Sequence, residues 1–145
     1  YGPSKEVIST GSATKGVRFL SIFENNIYVM IFTLLFSLIF GAGAIFILAW
    51  NASVIAGAIG IFTEYTLHEI PLGFFRYMIH GFPEMAAYFV AALAGGIFGT
   101  GAIRNGIQNR KFLHVSENAI ILLFAALLML VFAALIEVYL TPIIF

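Results

Sequence analysis

The stretch IYVMIFTLLFSLIFGAGAIFILAW, residues 27–50, contains no charged residue. A helix rises about 1.5 Å per residue, so this stretch would extend for roughly 36 Å, which exceeds the ~30 Å hydrocarbon core of a bilayer. Tyr28 and Trp50 lie near its two ends, and such aromatic side chains are typical of the membrane–water interface. The stretch therefore predicts a first transmembrane helix over residues 27–50.

The composition of the whole chain agrees with a membrane protein. Of its 145 residues, 61% are hydrophobic and only 10% are charged, whereas a soluble domain carries about 25% charged residues. Seven Lys and Arg balance seven acidic residues, so the charge gives no reason to expect a nucleic-acid partner. The sequence contains no cysteine, which excludes disulfides, thiolate metal ligands and cysteine nucleophiles.

Two more apolar stretches, residues 82–103 and 118–140, are long enough to cross a bilayer. Ser116 is a candidate N-cap for the second of them. We therefore predict an all-α integral membrane protein with three full transmembrane helices. These helices belong to one domain over residues 17–145.

The segment between the first two spans predicts a re-entrant or broken helical hairpin. Residues 51–63 are apolar but too short to span, and residues 64–80 collect two Glu, two His, an Arg and a Pro. Such a segment is tolerated at membrane depth where protein or a cavity surrounds it. We expect residues 51–80 to leave and return at the outer face. A full crossing by residues 51–79 is the alternative.

The basic residues favour the re-entrant arrangement. Lys5, Lys15 and Arg18 precede the first span, and the short loop 104–116 contains Arg104, Arg110 and Lys111. Short basic loops remain cytoplasmic, and both groups share that side only if an even number of crossings separates them. We therefore expect a multi-pass protein of the cell membrane with loop 104–116 in the cytoplasm.

The N-terminal residues predict a flexible tail followed by an interfacial helix. Residues 1–16 are small and polar, whereas Val17, Leu20 and Phe23 share one helical face. The alternative is that residues 17–26 are the cytosolic end of the next helix. Because the sequence begins without Met, we expect an upstream segment to be missing.

Four polar residues fall within or beside the apolar stretches, where a charged group costs ~2.5–3.5 kcal/mol on insertion scales and usually faces other helices. This polar cluster consists of Asn51, His80, Glu84 and Glu137. Gly81 and Pro83 would form a turn that begins the second span. Glu84 would then lie in the first helical turn, where the helix dipole favours a carboxylate.

Several roles are open for this cluster. It could be a structural plug that ties the hairpin to two spans, or a pathway for protons or ions. A metal site of His80, Glu84 and His68 is a weaker hypothesis because the second His of an HExxH motif is absent. An intramembrane hydrolase is disfavoured because the chain has no GxSxG or HExxH motif. We predict no catalytic residue, no metal and no cofactor.

Small residues recur at every fourth position of the second span, at Ala87, Ala91, Gly95 and Gly99. Ala92, Gly96 and Thr100 form a neighbouring stripe. Small residues allow membrane helices to approach closely. This helix-packing face could serve packing within the chain or an interface between two copies in a homo-oligomer.

Three blocks of the sequence are distinctive: ENNIYVMIFTLLFSLIFGAGAIFILAWNASVIAGAIG, HGFPEMAAYFVAALAGG and AALIEVYLTP. Their H-G-x-x-E and I-E-x-x-x-T-P motifs resemble those of the stage II sporulation protein M family, and the likeness extends over about residues 19–142. The matching positions are Asn26, Asn51, His80, Gly81, Glu84, Glu137, Thr141 and Pro142. NAS stands where the family usually has a Gly after the Asn, and the further hydrophobic segment that commonly begins family members is missing.

The resemblance implies a non-enzymatic membrane scaffold that docks partner proteins, as the family does where it holds peptidoglycan-degrading partners at the engulfing septum. It assigns no catalytic role to the matching residues. The alternative is a channel or transporter for a small solute, an ion or protons that uses His80, Glu84 and Glu137. The expected partners are the lipid bilayer and proteins in the membrane, with a second copy as a further candidate and no nucleic acid.

Overall fold

The computed structural model describes residues 4–41, 43–62 and 70–144, and these residues are helical apart from Gly41 and residues 106–109. The helices are α1 (Ser4–Phe40), α2 (Gly43–Phe62), α3 (Ile70–Asn105) and α4 (Arg110–Leu135). A π-helical turn (Ile136–Leu140) and a last short helix α5 (Thr141–Ile144) continue α4. The all-α fold predicted from the sequence is confirmed.

Three helical segments are long and apolar enough to cross a membrane: Thr14–Phe40, Pro71–Asn105 and Arg110–Ile144. They confirm the prediction of three membrane-spanning helices. The apolar part of α2, Ile45–Ile61, is shorter.

The first span ends earlier than predicted. α1 stops at Phe40 and Trp50 lies in α2, so residues 27–50 do not form one helix. Gly41 has a φ of +67°, a left-handed conformation that ends helices and that Gly adopts without steric cost. Its amide donates to the Ser37 carbonyl at 2.8 Å. Hydropathy alone did not predict this turn, because the helices on both sides of it are apolar.

α2 folds back along α1. The rings of Phe36 and Phe46 stack with their centroids 5.5 Å apart on either side of the turn. Farther from the turn, Asn26 of α1 and Ile55 of α2 line the same cavity. α1 and α2 are therefore antiparallel.

α3 runs parallel to α1. A Cβ atom placed on Gly95 would lie 2.6 Å from the carbonyl oxygen of Leu34, and one on Gly99 would lie 2.6 Å from that of Leu38. The contact advances by four residues on both helices, so they point in the same direction.

α4 then returns antiparallel to α3. The rings of Phe98 and Phe112 are 5.3 Å apart near the connecting loop, whereas Glu137 lines the same cavity as His80. We call the end that contains His80 and Glu137 the cavity end, and the end that contains Gly41 and residues 106–109 the loop end.

This arrangement corrects the predicted re-entrant topology. Because α1 and α3 are parallel, Arg18 near the start of α1 and Arg104 at the end of α3 lie at opposite ends of the bundle. The two basic groups cannot both face the cytoplasm if the bundle crosses the membrane. The positive-charge argument failed because it took both basic groups to be cytoplasmic, whereas the parallel direction of α1 and α3 places them at opposite ends.

The N-terminal tail and interfacial helix are also corrected. α1 begins at Ser4 and continues without interruption into the apolar stretch, so residues 4–16 are helical. Residues 17–26 belong to the same helix as the first span, as in the alternative prediction.

The second span begins earlier than the predicted residue 82. α3 starts at Ile70, and Gly81 and Pro83 lie inside it, so they form no turn before the helix. Neighbouring helices can satisfy the backbone group that a proline leaves unpaired within a membrane helix, and such a proline is therefore a poor marker of a helix start here.

The third span also begins before residue 118. Asn109 caps α4, and its side chain accepts a hydrogen bond from the Lys111 amide at 3.2 Å. Ser116 instead donates to the Phe112 carbonyl within the helix, so the predicted Ser116 cap is wrong. The loop that was expected over residues 104–116 is non-helical only over residues 106–109.

Charged residues mark the depth of the bundle in a membrane. Glu84 and Arg104 on α3 are twenty positions apart, as are Glu117 and Glu137 on the last helical segment, and no charged residue lies between either pair. Each separation corresponds to about 30 Å, which is the thickness of the hydrocarbon core. A hydrocarbon core bounded by these charged residues would have the polar cluster at one edge.

Candidate functional site

A cavity of about 430 Å³ lies at the cavity end, among α1, α2, α3 and the π-helical turn. All four members of the predicted polar cluster, Asn51, His80, Glu84 and Glu137, line it. The exposed residues Ser21, Asn25 and Val54 also line it, so it opens at the surface between α1 and α2. Residues that are far apart in the sequence thus meet at one polar site.

α3 provides the central wall of the cavity. His80 and Glu84 are four positions apart on a continuous helix and therefore share one face. Gly81 between them is buried, and a Cβ atom there would lie 3.7 Å from Ile55 of α2. The absence of a side chain at Gly81 allows α2 to approach this wall closely.

Tyr88 contacts the Glu84 carboxylate from the side of the loop end. Its hydroxyl donates to Oε1 of Glu84 at 2.7 Å, and its side chain is only 1% exposed. Tyr88 shares a buried cluster with Met30 and Leu130. This apolar layer separates the cavity from the loop end of the bundle.

Two buried polar atoms at the site have no hydrogen-bond partner among the described residues: Nδ2 of Asn26 and Nδ1 of His80. Asn26 is only 3% exposed, and both residues line the cavity. A buried donor or acceptor left without a partner costs about 1–3 kcal/mol. Both atoms belong to residues of the cavity wall and are themselves buried.

The π-helical turn shapes the wall that carries Glu137. The Thr141 hydroxyl donates to the Ile136 carbonyl at 3.1 Å, five residues back. Single π turns within α-helices occur frequently at functional sites. The α-helical pattern expected over residues 118–140 did not predict this turn.

Pro83 leaves a backbone acceptor beside the site. It has no amide hydrogen, so the Ile79 carbonyl lacks the donor that it would otherwise have within α3. Ile79 directly precedes His80.

Charges of both signs surround the site. Glu84 and Glu137 are half-buried, whereas Arg18 and Arg76 are exposed. Glu137, Arg76 and Arg18 are close enough to His80 to contribute to the electrostatic potential at its ring. Because the carboxylates line the cavity and the guanidinium groups do not, the cavity wall is acidic.

The described residues include no group of three His, Asp or Glu side chains placed to hold a metal ion. His68, which belonged to the weaker metal hypothesis, lies outside the described residues, as do Glu64 and Glu69.

The predicted helix-packing face is used within the chain. Ala87 and Ala91 are fully buried, and Gly95 and Gly99 press against the backbone of α1. Beside them, the Ser37 hydroxyl donates to the Ala92 carbonyl. Assembly into a homo-oligomer stays a prediction.

Sequence reasoning did not assign Asn26, Tyr77 or Tyr88 to the site. Tyr77 lies three positions before His80, and Tyr88 lies four positions after Glu84. Those spacings could have indicated a shared helical face. Asn26 matched the family pattern, but no feature within α1 indicated that its amide would be buried in a cavity.

Comparison with known proteins gives one result. The family model described as Stage II sporulation protein M matches residues 4–142. No curated protein and no solved structure matches the chain.

Proposed function

The chain belongs to the stage II sporulation protein M family, and from that premise we propose that it is a non-enzymatic membrane protein that takes up a small cation or a proton in its polar cavity. The observation that carries this proposal is the cavity itself. It gathers the half-buried carboxylates of Glu84 and Glu137 with the side chains of Asn26, Asn51 and His80 at one end of the bundle. Intramembrane ionisable residues that face a cavity are typical of ion and proton pathways.

The size and polarity of the cavity fit a hydrated ligand. A volume of about 430 Å³ can hold on the order of ten water molecules, each of which occupies about 30 Å³ in the liquid. Glu84 and Glu137 supply negative charge, and the side-chain oxygens of asparagines add neutral acceptors. A small cation could therefore exchange part of its water shell for these oxygens.

The buried layer below the cavity gives this uptake a direction. Tyr88, Met30 and Leu130 fill the space toward the loop end. A ligand can enter from the cavity end, whereas release at the other end requires Tyr88 to move. Such one-sided access is the arrangement expected of a carrier in one of its two states.

The test is uptake into liposomes that contain the purified protein, with Na⁺, K⁺ and protons followed separately. We expect Glu84→Gln and Glu137→Gln to abolish the uptake that the unchanged protein supports. Glu117→Gln is the matched control, because Glu117 is an exposed carboxylate at the other end of the helical segment that carries Glu137. Absence of flux for all three ions, together with absence of cation binding, would refute the proposal.

Docking of partner proteins is the second candidate function. α1 extends for 22 residues before Asn26, or about 33 Å, and carries Val17 and Leu20 exposed at 67% and 62%. A long helix with exposed apolar residues beyond the membrane edge offers a surface for a partner protein. This candidate predicts that Val17→Ser with Leu20→Ser reduces capture of membrane partners and leaves flux unchanged.

For the orientation, we propose that loop 104–116 lies in the cytoplasm of a multi-pass cell-membrane protein. Arg104, Arg110 and Lys111 lie within or beside a connection of four residues, and short basic loops are retained in the cytoplasm. The polar cavity would then open toward the outside.

A further inference from the structure

A second concave surface lies at the loop end, on the opposite side of the buried layer from the polar cavity. This groove has a volume of about 510 Å³. Small residues of α3 form its floor, namely Ala92, Gly96, Thr100 and Gly101. Arg104 and Asn105 line it where α3 leaves the hydrocarbon core.

The groove has the length of one bilayer leaflet. Ala92 and Arg104 are twelve positions apart on α3, which corresponds to about 18 Å along the helix. Half of a ~30 Å hydrocarbon core is about 15 Å. An acyl chain whose head group lies at Arg104 would therefore reach the bottom of the groove near the middle of the membrane.

Positive charge gathers where the groove meets the interface. Arg104, Arg110 and Lys111 are all exposed there. The ion pair described nearby joins His114 to Glu117 and does not involve these three cations. The first turn of the 26-residue helix α4 adds the positive end of its dipole. This end of the groove is thus complementary to a negatively charged group.

We propose that this groove binds an anionic phospholipid of the loop-end leaflet. Its phosphate lies at Arg104, and one of its acyl chains lies along Ala92, Gly96 and Thr100. The same three positions form the neighbouring small-residue stripe, which leaves room for the chain because none of the three has a large side chain. This site is distinct from the polar cavity and does not depend on any transport role.

The experiment uses the full chain in phosphatidylcholine nanodiscs that contain a small fraction of spin-labelled phosphatidylglycerol. The measured quantity is the fraction of label that the protein immobilises, compared with the same label on phosphatidylcholine. We expect phosphatidylglycerol to be preferred and Arg104→Gln to lower its affinity about fivefold, since one basic residue near the interface contributes roughly 1 kcal/mol. Lys15→Gln is the control, because it removes the same charge at the cavity end.

Filling the groove tests the position of the acyl chain. A Cβ atom on Gly96 would meet only the Ser37 Oγ, at 3.6 Å, so Gly96→Leu extends into the groove with little strain at its first carbon. We expect Gly96→Leu to abolish the excess immobilisation of phosphatidylglycerol over phosphatidylcholine. If that variant does not fold, Thr100→Leu decides the question, because Thr100 is exposed.

Three results would overturn the proposal. Equal immobilisation of the two labelled lipids would rule out recognition of the anionic head group. An equal loss in Lys15→Gln and Arg104→Gln would show that only total charge matters. A dimer in solution that Thr100→Leu dissociates would show that the groove holds a second copy of the chain.

Discussion

At the scale of the residue, the Glu84–Tyr88 pair joins the polar site to the apolar core. Glu84 lines the cavity, whereas Tyr88 is fully buried below it. One hydrogen bond of 2.7 Å therefore links a group that a ligand can reach to the packing of the bundle.

Tyr88→Phe removes this hydrogen bond and preserves the ring. We expect a loss of about 1 kcal/mol in the free energy of unfolding, because a hydrogen bond typically contributes about 0.5–1.5 kcal/mol and measured contributions inside membranes are of the same order. Thermal unfolding in detergent, followed by circular dichroism, measures this loss. Tyr88→Ala should cost about 3–5 kcal/mol because it also leaves a cavity. If Tyr88→Phe and Tyr88→Ala were equally stable, Tyr88 would not fill the core as described.

Asn26→Leu should separate stability from function. Nδ2 of Asn26 is buried without a partner among the described residues, so replacing the amide by an apolar group of similar size removes a desolvation cost of about 1–3 kcal/mol. We expect a higher unfolding temperature together with weaker cation binding in the cavity. A lower unfolding temperature would show instead that the amide makes a structural hydrogen bond.

At the scale of the element, glycines decide how closely α1 and α3 approach. Gly95 and Gly96 are adjacent, yet only Gly95 lies against the backbone of α1. The two positions therefore offer a matched pair of substitutions within one helical turn.

Gly95→Ala should destabilise the bundle, and Gly96→Ala should not. The added methyl group at position 95 would lie 2.6 Å from the Leu34 carbonyl oxygen, whereas at position 96 its nearest atom would be 3.6 Å away. Overpacking costs about 1–3 kcal/mol, so we expect Gly95→Ala to unfold at a lower temperature. Equal unfolding temperatures for the two variants would contradict the close contact between α1 and α3.

The elements also show what the sequence could predict. Apolar length correctly identified three membrane-spanning helices, because the requirement to cross ~30 Å is visible in one dimension. The hairpin at Gly41 was missed because no polar residue marks it and its helices are equally apolar. Pro83 was read as a helix start because a proline fits that position well, but α3 begins at Ile70.

The candidate site was predicted better than the path of the chain that builds it. Asn51, His80, Glu84 and Glu137 were selected because polar groups are costly in an apolar stretch, and all four line one cavity. That cost is a property of each residue and its neighbours in sequence. The contributions of Asn26 and the π-helical turn depend on how separate helices pack, and a single sequence does not display that packing.

At the scale of the whole molecule, the parallel arrangement of α1 and α3 fixes which ends of the bundle its charges occupy. Lys15 and Arg18 belong to the cavity end, whereas Arg104, Arg110 and Lys111 belong to the loop end. Any membrane orientation must therefore place these two basic groups on opposite sides.

Single cysteines can test this arrangement, because the sequence contains no native cysteine. Lys15→Cys and Gln108→Cys lie in exposed positions near the two ends. We expect a membrane-impermeant maleimide to label one of them in intact cells and the other only after permeabilisation, with Gln108→Cys being the protected one in the proposed orientation. Labelling of both from the same side would support the re-entrant topology and contradict the helix arrangement.

The cavity is built from helices that are far apart in the sequence, and this has a consequence for biosynthesis. The ribosome delivers the helices in order, so Asn26 and Asn51 enter the membrane before His80 and Glu84, and Glu137 follows last. Until α4 is inserted, the acidic wall on α3 is covered on one side only, by the first two helices. The polar site is therefore assembled in stages during translation, and its final wall closes only when the last helix leaves the translocon.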